Sequence, residues 1–135
     1  MISIVTSTFN SSKYIGLFFE KIQKQVSSIN VDYEIIVVDD GSTDETVKIL
    51  KELSLKNNNL KIIELSNNFG QIASIFCGLK HSKGKQIFIT DSDIEENEDN
   101  LVRFYNEYKK DTSFDMVYGV IDKREGYSLM SKYFS

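Results

Sequence analysis

Two carboxylates separated by one residue, Asp91 and Asp93 with Ser92 between them, are the best candidates for chemistry in this sequence. They directly follow residues 86–90, an apolar stretch with the composition of a buried strand. Mg²⁺ and Mn²⁺ prefer hard oxygen ligands, and Mg²⁺ is commonly held by carboxylates together with substrate phosphates. The pattern predicts that Asp93 binds a divalent cation against a diphosphate. Asp91 either shares the cation or accepts a ribose hydroxyl.

A second pair of carboxylates, Asp39 and Asp40, follows another apolar stretch, residues 33–38. A carboxylate at this place can accept an N–H of uracil or guanine in a charge-assisted hydrogen bond, which discriminates between bases. Phe9, near the end of the first apolar stretch, can pack on a base or a ribose. Asp39 and Asp40 can equally form a turn that helps to cap the next helix, and this alternative stays open.

The remaining polar candidates have simpler interpretations. Residues 94–99 continue the acidic character of Asp91 and Asp93, so the whole segment can also be a solvated loop. His81, the only histidine, is expected to contact the last carbonyls of a helix, and Cys77 to be a small core residue. Two acidic pairs that each follow an apolar stretch nevertheless favour a binding site over a loop.

The composition fits a single globular domain. The 135 residues are 41% hydrophobic and 27% charged, which is enough for one core. The net charge of -4 argues against bulk binding of nucleic acid. The single cysteine excludes an internal disulfide and fits a reducing compartment. No apolar run reaches the roughly 18 residues of a membrane span, and the first residues lack the basic region of a signal peptide.

Strand-like and helix-like patterns alternate along the chain with a period of roughly 30 residues, the size of a βαβ unit. We predict strands at residues 2–7, 33–38, 60–65, 86–90 and 116–120, with helices between or after them. This alternation predicts an α/β fold in which a mostly parallel sheet is flanked by helices, in one domain over residues 1–135.

Three helices have specific sequence signals. The first is predicted to be capped by Ser11 or Ser12, and the second to open with a capping box at residues 42–45. The third is predicted to have a single apolar face, made of Ile72, Ile75, Phe76 and Leu79.

In sheets of this type, ligands bind outside the carboxyl ends of the strands, near a change in strand order. Three segments of this sequence follow predicted strands and carry polar side chains: residues 7–10, 39–42 and 91–93. We therefore expect these segments to line one cleft.

The same segments resemble family 2 glycosyltransferases of the GT-A fold, through residues 4–10, 36–44 and 91–93. The middle segment, Ile-Val-Val-Asp-Asp-Gly-Ser-Thr-Asp, is the family's most recognisable motif. Residues 67–71, 117–120 and 123–126 are further similar to the polyprenyl-phosphate branch. That branch includes dolichol-phosphate mannose synthase-like and bactoprenol glucosyltransferase-like enzymes. The resemblance covers essentially the whole chain.

The resemblance implies a Rossmann-like, nucleotide-sugar-binding domain with defined roles for the acidic residues. Asp40 would contact the base, and Asp39 would shape the base pocket. Asp91 would lie near the ribose and diphosphate, and Asp93 would coordinate Mg²⁺ or Mn²⁺ with Asp91 beside it. The residues expected to bind the nucleotide sugar are Ser7, Thr8, Phe9, Asn10, Asp39, Asp40, Ser42, Asp91 and Ser92.

Several positions depart from the family's pattern. Ser7 stands where the family often has proline, and Gln71 where the polyprenyl branch often has lysine. Ile121 replaces a common arginine, which leaves Lys123 and Arg124 as the cations available for an acceptor phosphate. These departures bear on the branch rather than on the family.

The implied activity is inverting transfer of a sugar from a nucleoside diphosphate, UDP above all, to a polyprenyl phosphate or a glycan. Family members usually extend well beyond this length, so we expect a truncated N-terminal part, with the acceptor-side and catalytic residues beyond Ser135. Such a part would expose apolar surface, self-associate and be inactive alone. The expected location is the cytoplasm, including the cytoplasmic face of the membrane, in cell-envelope polysaccharide biosynthesis.

Two other functions remain open. The chain can be a nucleotide-binding module without catalysis. A receiver-like signalling domain also clusters aspartates around Mg²⁺, but it needs a later strand that ends near a lysine. The stretch 60–65 ends instead in Ser66, Asn67 and Asn68, and the second acidic pair has no role in such a domain.

Overall fold

The computed structural model describes residues 1–92, 99–113 and 115–119. Strands and helices alternate there in the predicted order. The elements are β1 (Ile2–Thr8), α1 (Ile15–Ile29), β2 (Tyr33–Asp39), α2 (Thr46–Ser54), β3 (Leu60–Glu64), α3 (Gln71–His81), β4 (Gln86–Ile89) and α4 (Asn100–Lys110). Met1–Arg103 form one compact unit that contains the whole sheet, and Phe104–Ser135 form a second.

The four strands form one parallel sheet in the order β3-β2-β1-β4. β1 pairs with β2 from Ile2 opposite Tyr33 to Thr8 opposite Asp39. On its other side β1 pairs with β4, with Ile2 opposite Gln86. The chain moves outward from β1 to β3 and then crosses to the far side of β1, so the strand order changes between β1 and β4. The predicted α/β fold with a parallel sheet and flanking helices is confirmed.

Both faces of the sheet are buried at β1 and β2, as their nearly continuous apolar sequences predict. On one face, Val5, Ile36 and Val38 form a buried cluster against which side chains of α3 pack. Ile4 and Ile35, which alternate with them and belong to the opposite face, are fully buried as well. The core therefore extends on both sides of β1 and β2.

α3 packs through its small residues and through only part of the predicted apolar face, since Ile75 and Leu79 lie against the buried cluster. Its buried residues are Ser74 and Gly78, and a β-carbon on Gly78 would lie 2.5 Å from Val5 Cγ1. Because the helix approaches the sheet along this line, Ile72 and Phe76 point outward and are 75% and 63% exposed. The predicted burial of Ile72 and Phe76 is therefore wrong.

Two helices begin after the residues that were predicted to cap them. α1 begins at Ile15, and Ser11 participates through its carbonyl, which accepts the Ile15 N–H at 2.9 Å. α2 begins at Thr46, and its cap residue Glu45 makes no capping hydrogen bond. The predicted serine cap and the predicted capping box at 42–45 are both wrong: the Ser11 hydroxyl bonds to the Phe9 carbonyl, and Ser42 Oγ accepts the Asn10 N–H of the neighbouring loop.

The end of α3 agrees with expectation, whereas the predicted fifth strand does not. His81 Nδ1 lies 2.8 Å from the carbonyl oxygen of Cys77, and Cys77 packs against the buried cluster. Residues 116–119 have no strand geometry, and Val120 lies outside the described residues. The predicted strand at 116–120 is wrong over its described part, since an apolar pattern does not ensure that a neighbouring strand is available.

A buried ionic cluster lies at the amino ends of the strands. Glu34 is paired with Lys61, and Glu34 Oε1 accepts the Ser3 hydroxyl and the Lys83 N–H, each at 2.6 Å. The Gly84 N–H donates to Ser3 Oγ at 2.8 Å. Burial by itself raises the pKa of Glu34, but the hydrogen bonds from Lys61, Ser3 and Lys83 outweigh it and lower the pKa to about 2. The loop that enters β4 is thereby tied to β1 and β2.

Candidate functional site

The register of the sheet aligns the carboxyl ends of β1 and β2. Thr8 lies opposite Asp39, and the Asp40 N–H donates to the Thr8 carbonyl at 2.8 Å. The loops that follow these two strands therefore start side by side. This alignment brings residues 7–10 together with residues 39–42.

The segment after β4 leaves the sheet at the same end as the loops after β1 and β2, because the strands are parallel. The Thr90 N–H donates to the Val5 carbonyl at 3.2 Å, which extends the pairing with β1 one residue beyond β4. Asp91 and Ser92 follow directly. Asp93 lies outside the described residues, so its place relative to the other two acidic positions stays a prediction.

Asn10 and Ser42 join the β1–α1 loop to the β2–α2 loop. The Asn10 N–H donates to Ser42 Oγ at 2.8 Å, and Asn10 Oδ1 accepts the Thr43 N–H at 2.9 Å. Asn10 adopts a left-handed backbone with φ 49°, which asparagine tolerates better than most residues. Two residues of the predicted nucleotide site thus bond to each other and fix the two loops relative to one another.

Asp44, which the motif contains but which was not singled out as a site residue, accepts hydrogen bonds from both loops. Its Oδ2 accepts the Ser12 N–H at 3.1 Å, and its Oδ1 accepts the Thr46 N–H at 3.0 Å. Desolvation by itself raises the pKa of Asp44, but the hydrogen bonds from Thr46 and Ser12 lower it to about 2. The sequence signal was the acidic residue two positions before a threonine, which looked like part of a capping box.

Asp39 and Thr8 lie opposite each other and leave two buried oxygens without a hydrogen bond. Asp39 Oδ2 accepts the Ser42 N–H at 2.9 Å. In the described part of the chain, neither Asp39 Oδ1 nor Thr8 Oγ1 has a hydrogen-bond partner, although both atoms are buried. A buried polar atom without a partner is costly.

Asp40 anchors the loop before α3. Asp40 is only 3% exposed. Its two carboxylate oxygens accept the N–H groups of Phe69 and Gly70 at 2.8 and 2.9 Å. The neighbouring Gly41 has φ 76°, and a β-carbon there would lie 2.7 Å from the backbone of Asn67. The loop between β3 and α3 therefore packs directly on the Asp40-Gly41 turn. The predicted contact of Asp40 with a base stays a prediction.

Asp91 is exposed and bonded to the first residue of α3. The Gln71 side-chain amide donates to Asp91 Oδ1 at 2.5 Å. Within residues 1–92, 99–113 and 115–119, no three His, Cys, Asp or Glu side chains come together to hold a metal ion. Asp91 still fits the predicted role, because a solvent-accessible carboxylate is the kind of ligand that Mg²⁺ and Mn²⁺ prefer.

Two aromatic rings are exposed at this edge. Phe9, predicted to contact the nucleotide, keeps much of its surface in solvent, and Phe69 is exposed as well. Phe69 was not predicted as a site residue, although it lies in the Asn-Asn-Phe-Gly-Gln segment whose backbone Asp40 holds. Its signal was the following Gly70, whose φ of 92° marks a tight turn into α3.

The structure gives no role to the remaining residues that were predicted for the site. Ser7 and Ser92 are half-buried. Lys123 and Arg124, predicted for an acceptor phosphate, lie outside the described residues. None of the described helices is both long and apolar enough to span a bilayer.

Comparison with known sequences identifies the family. The profile of "Glycosyl transferase family 2" matches residues 3–133. One curated relative, dodecaprenyl-phosphate galacturonate synthase of Rhizobium johnstonii, is 31% identical over 110 residues, which are 81% of this chain and 32% of the relative. The chain spans between about a third and two fifths of the length of the first curated relatives that it matches.

Solved structures share the fold. A crystal structure of S. aureus TarS in complex with UDP has a TM-score of 0.64 and 31% identity, and the match covers 80% of this chain and 32% of that one. The mannosyltransferase PcManGT from Pyrobaculum calidifontis, in complex with GDP-Man and Mn²⁺, has a TM-score of 0.68 at 22% identity, over 79% of this chain and 32% of that one. The fold is thus that of GT-A glycosyltransferases, and the chain belongs to glycosyl transferase family 2.

Proposed function

We propose that this chain is the donor-binding part of a metal-dependent glycosyltransferase that transfers a sugar, with inversion, from a nucleoside diphosphate. The observation that carries the proposal is the position of Asp39, Asp40 and Asp91. All three lie at the carboxyl ends of parallel strands, beside the change in strand order. Nucleotides bind at this position in open parallel sheets. Family membership gives the reaction class.

The proposed donor is a UDP-sugar. Each carboxylate oxygen of Asp40 can accept more than one hydrogen bond, so the bonds from Phe69 and Gly70 leave lone pairs for an N–H of the base. The exposed ring of Phe9 can pack on that base. The similarity to the TarS structure solved with UDP supports the choice of nucleotide.

The proposed cofactor is Mg²⁺ or Mn²⁺, held by Asp93 with Asp91 beside it. Gln71 orients the Asp91 carboxylate through the 2.5 Å hydrogen bond to Oδ1. When bound, the ion supplies charge neutralisation at the departing diphosphate. The Mn²⁺ in the PcManGT complex supports a divalent ion in this fold.

The proposed acceptor is a polyprenyl phosphate, with a glycan as the other candidate. An acceptor oxygen attacks the anomeric carbon from the side opposite the nucleoside diphosphate, which departs with the bonding electron pair and inverts the centre. A phosphate acceptor is already anionic and needs only placement by cations, a role we assign to Lys123 and Arg124. A glycan hydroxyl additionally needs a general base. The name of the Rhizobium relative supports a polyprenyl phosphate.

Three further points belong to the proposal. The enzyme acts in the cytoplasm or at the cytoplasmic face of the membrane, since its single free cysteine suits a reducing compartment. The exposed Ile72 and Phe76 favour self-association. The alternative, a nucleotide-binding module without catalysis, has the same donor site and differs only in transferring no sugar.

Isothermal calorimetry tests the donor site. UDP, GDP and their sugars are titrated into the folded chain with Mn²⁺ and, in parallel, with a chelator. We expect binding that requires the metal and is tighter for UDP than for GDP. Absence of binding for all four ligands in the presence of Mn²⁺ would refute the proposed donor site.

A further inference from the structure

Three consecutive backbone N–H groups, those of residues 10–12, donate to side chains of the β2–α2 loop and of Thr46, the first residue of α2. The acceptors are Ser42 Oγ at 2.8 Å, Thr46 Oγ1 at 2.8 Å and Asp44 Oδ2 at 3.1 Å. Of the three acceptors, only Asp44 carries a charge.

Two of these three hydrogen bonds depend on Asp44. It accepts the Ser12 N–H directly. It also accepts the Thr46 hydroxyl at 2.5 Å and the Thr46 N–H at 3.0 Å, which orients the oxygen that takes the Ser11 N–H. The low pKa of about 2 keeps Asp44 ionised at any pH near neutrality. Losing this carboxylate would therefore free the Ser12 N–H and leave the acceptor of the Ser11 N–H without its orienting partner.

The segment that Asp44 holds begins one residue after Phe9. The Phe9 carbonyl itself accepts the Ser11 hydroxyl at 3.2 Å, so the position of Phe9 follows that of Ser11. Asp40, across the site, is fixed independently by Phe69 and Gly70. Asp44 thus helps to fix the position of Phe9, while Phe69 and Gly70 fix the Asp40 carboxylate.

We infer that Asp44 is a positioning residue that holds the loop of residues 9–12 so that Phe9 meets a nucleotide base bound beside Asp40. The inference rests on the proposed function. The N–H groups of residues 10–12 are occupied by protein side chains, so Asp44 acts on recognition of the base and not on binding of the diphosphate.

Asp44→Asn tests this role, with Glu45→Gln as the matched control. Asparagine keeps the size of the side chain but has one acceptor oxygen, so it cannot hold both Ser12 and Thr46. Glu45 is the next residue, loses the same charge, and pairs only with the exposed Lys48 among the described residues. We expect Asp44→Asn to weaken UDP binding about tenfold through lost pre-organisation, and Glu45→Gln to change it less than about twofold.

Pyrophosphate with Mn²⁺ separates positioning from general destabilisation. We expect its affinity to stay within about twofold of the unsubstituted chain in Asp44→Asn, measured well below the melting temperature, because pyrophosphate has no base. Equal losses for UDP and pyrophosphate, or unchanged UDP affinity in a folded Asp44→Asn variant, would overturn the inference.

Amide hydrogen exchange of the ligand-free protein tests the loop itself. The amides of Ser11 and Ser12 should exchange at least about tenfold faster in Asp44→Asn than in Glu45→Gln. Unchanged exchange would refute the role of Asp44 even if nucleotide affinity falls. If the unsubstituted chain binds no nucleotide, the proposed function fails, and amide exchange still decides whether Asp44 holds the loop.

Discussion

Asp40 Oδ2 accepts the Gly70 N–H at 2.9 Å, immediately before the first residue of α3. The carboxylate that follows β2 thereby holds the N-cap residue of a helix that begins 31 residues further on. A negative charge at the amino end of a helix is favourable because of the helix dipole. One residue thus joins the predicted base pocket to the placement of α3.

Replacing Asp40 should therefore affect stability as well as binding. Asp40→Asn leaves one of the Phe69 and Gly70 N–H groups without an acceptor, and we expect a loss of about 1–3 kcal/mol in the free energy of unfolding. UDP affinity should fall by about tenfold or more. Urea unfolding and calorimetry measure the two effects, with Asp32→Asn, at an exposed position, as control. Unchanged stability would show that Asp40 does not hold the loop in solution.

The acidic positions should separate metal dependence from base recognition. Asp93→Ala should abolish the dependence of UDP binding on Mn²⁺, since it removes the proposed ligand. Asp40→Ala should retain metal dependence and reduce the preference for UDP over GDP. Calorimetry with Mn²⁺ and with chelator measures both, and Glu96→Gln removes a charge from the same acidic segment as control. Identical effects of Asp93→Ala and Asp40→Ala would contradict these roles.

The Glu34 cluster predicts how stability depends on pH. The pKa of Glu34 falls from 4.5 to about 2 on folding, so its contribution is complete above pH 4.5 and is lost as the pH falls toward 2. The shift corresponds to at most about 3 kcal/mol. Glu34→Gln should lower the free energy of unfolding by an amount of this order at pH 7, and by much less at pH 2.5. Urea unfolding at both pH values measures it; equal losses would contradict the linkage.

Gly78 and Gly16 form a matched pair of helical glycines. A β-carbon on Gly78 would lie 2.5 Å from Val5 Cγ1, whereas Gly16 has nothing within 4 Å. Gly78→Ala should destabilise the fold by about 1–3 kcal/mol through overpacking. Gly16→Ala should stabilise it by roughly 0.5–1 kcal/mol through helix propensity. Thermal unfolding measures both, and a stabilising Gly78→Ala would contradict the close approach of α3 to β1.

The outward face of α3 predicts concentration-dependent self-association. Ile72 and Phe76 lie one turn apart on this helix and are largely exposed. Ile72→Lys and Phe76→Lys should shift sedimentation toward the monomer, because a charge opposes burial of the surface. Leu55→Lys is the control, since Leu55 is 85% exposed at the end of α2. Equal sedimentation of all three variants and the parent chain would exclude this surface.

The sequence predicts the order of elements well because the relevant signals are local. Alternating strand and helix periods extend over many residues, and the apolar stretches before Asp39 and Asp91 locate the carboxyl ends of two strands. The parallel arrangement then follows from the size of the βαβ unit. That both acidic segments lie at the carboxyl end of the sheet follows from this parallel arrangement.

Hydrogen-bond partners within the site could not be predicted in the same way. Asp44 resembles part of a capping box, yet it bonds to Ser12, 32 residues earlier in the chain. Asp40 bonds to a loop 29 and 30 residues later. Such pairings depend on how closely two loops approach, which propensity does not encode. The buried line of α3 escaped prediction for a related reason, since Gly78 packs by having no side chain.

The ionic cluster at the beginning of the strands has a consequence for folding. The hydrogen bond from Gly84 to Ser3 joins residues 81 positions apart, while β1 and β2 pair across a much shorter separation. Contacts between distant residues are formed slowly, because a long loop must be closed first. During synthesis, the first three strands can therefore assemble before β4 emerges. Until then one edge of β1 has no neighbour, and at that edge a nascent chain of this sequence can mispair with another chain.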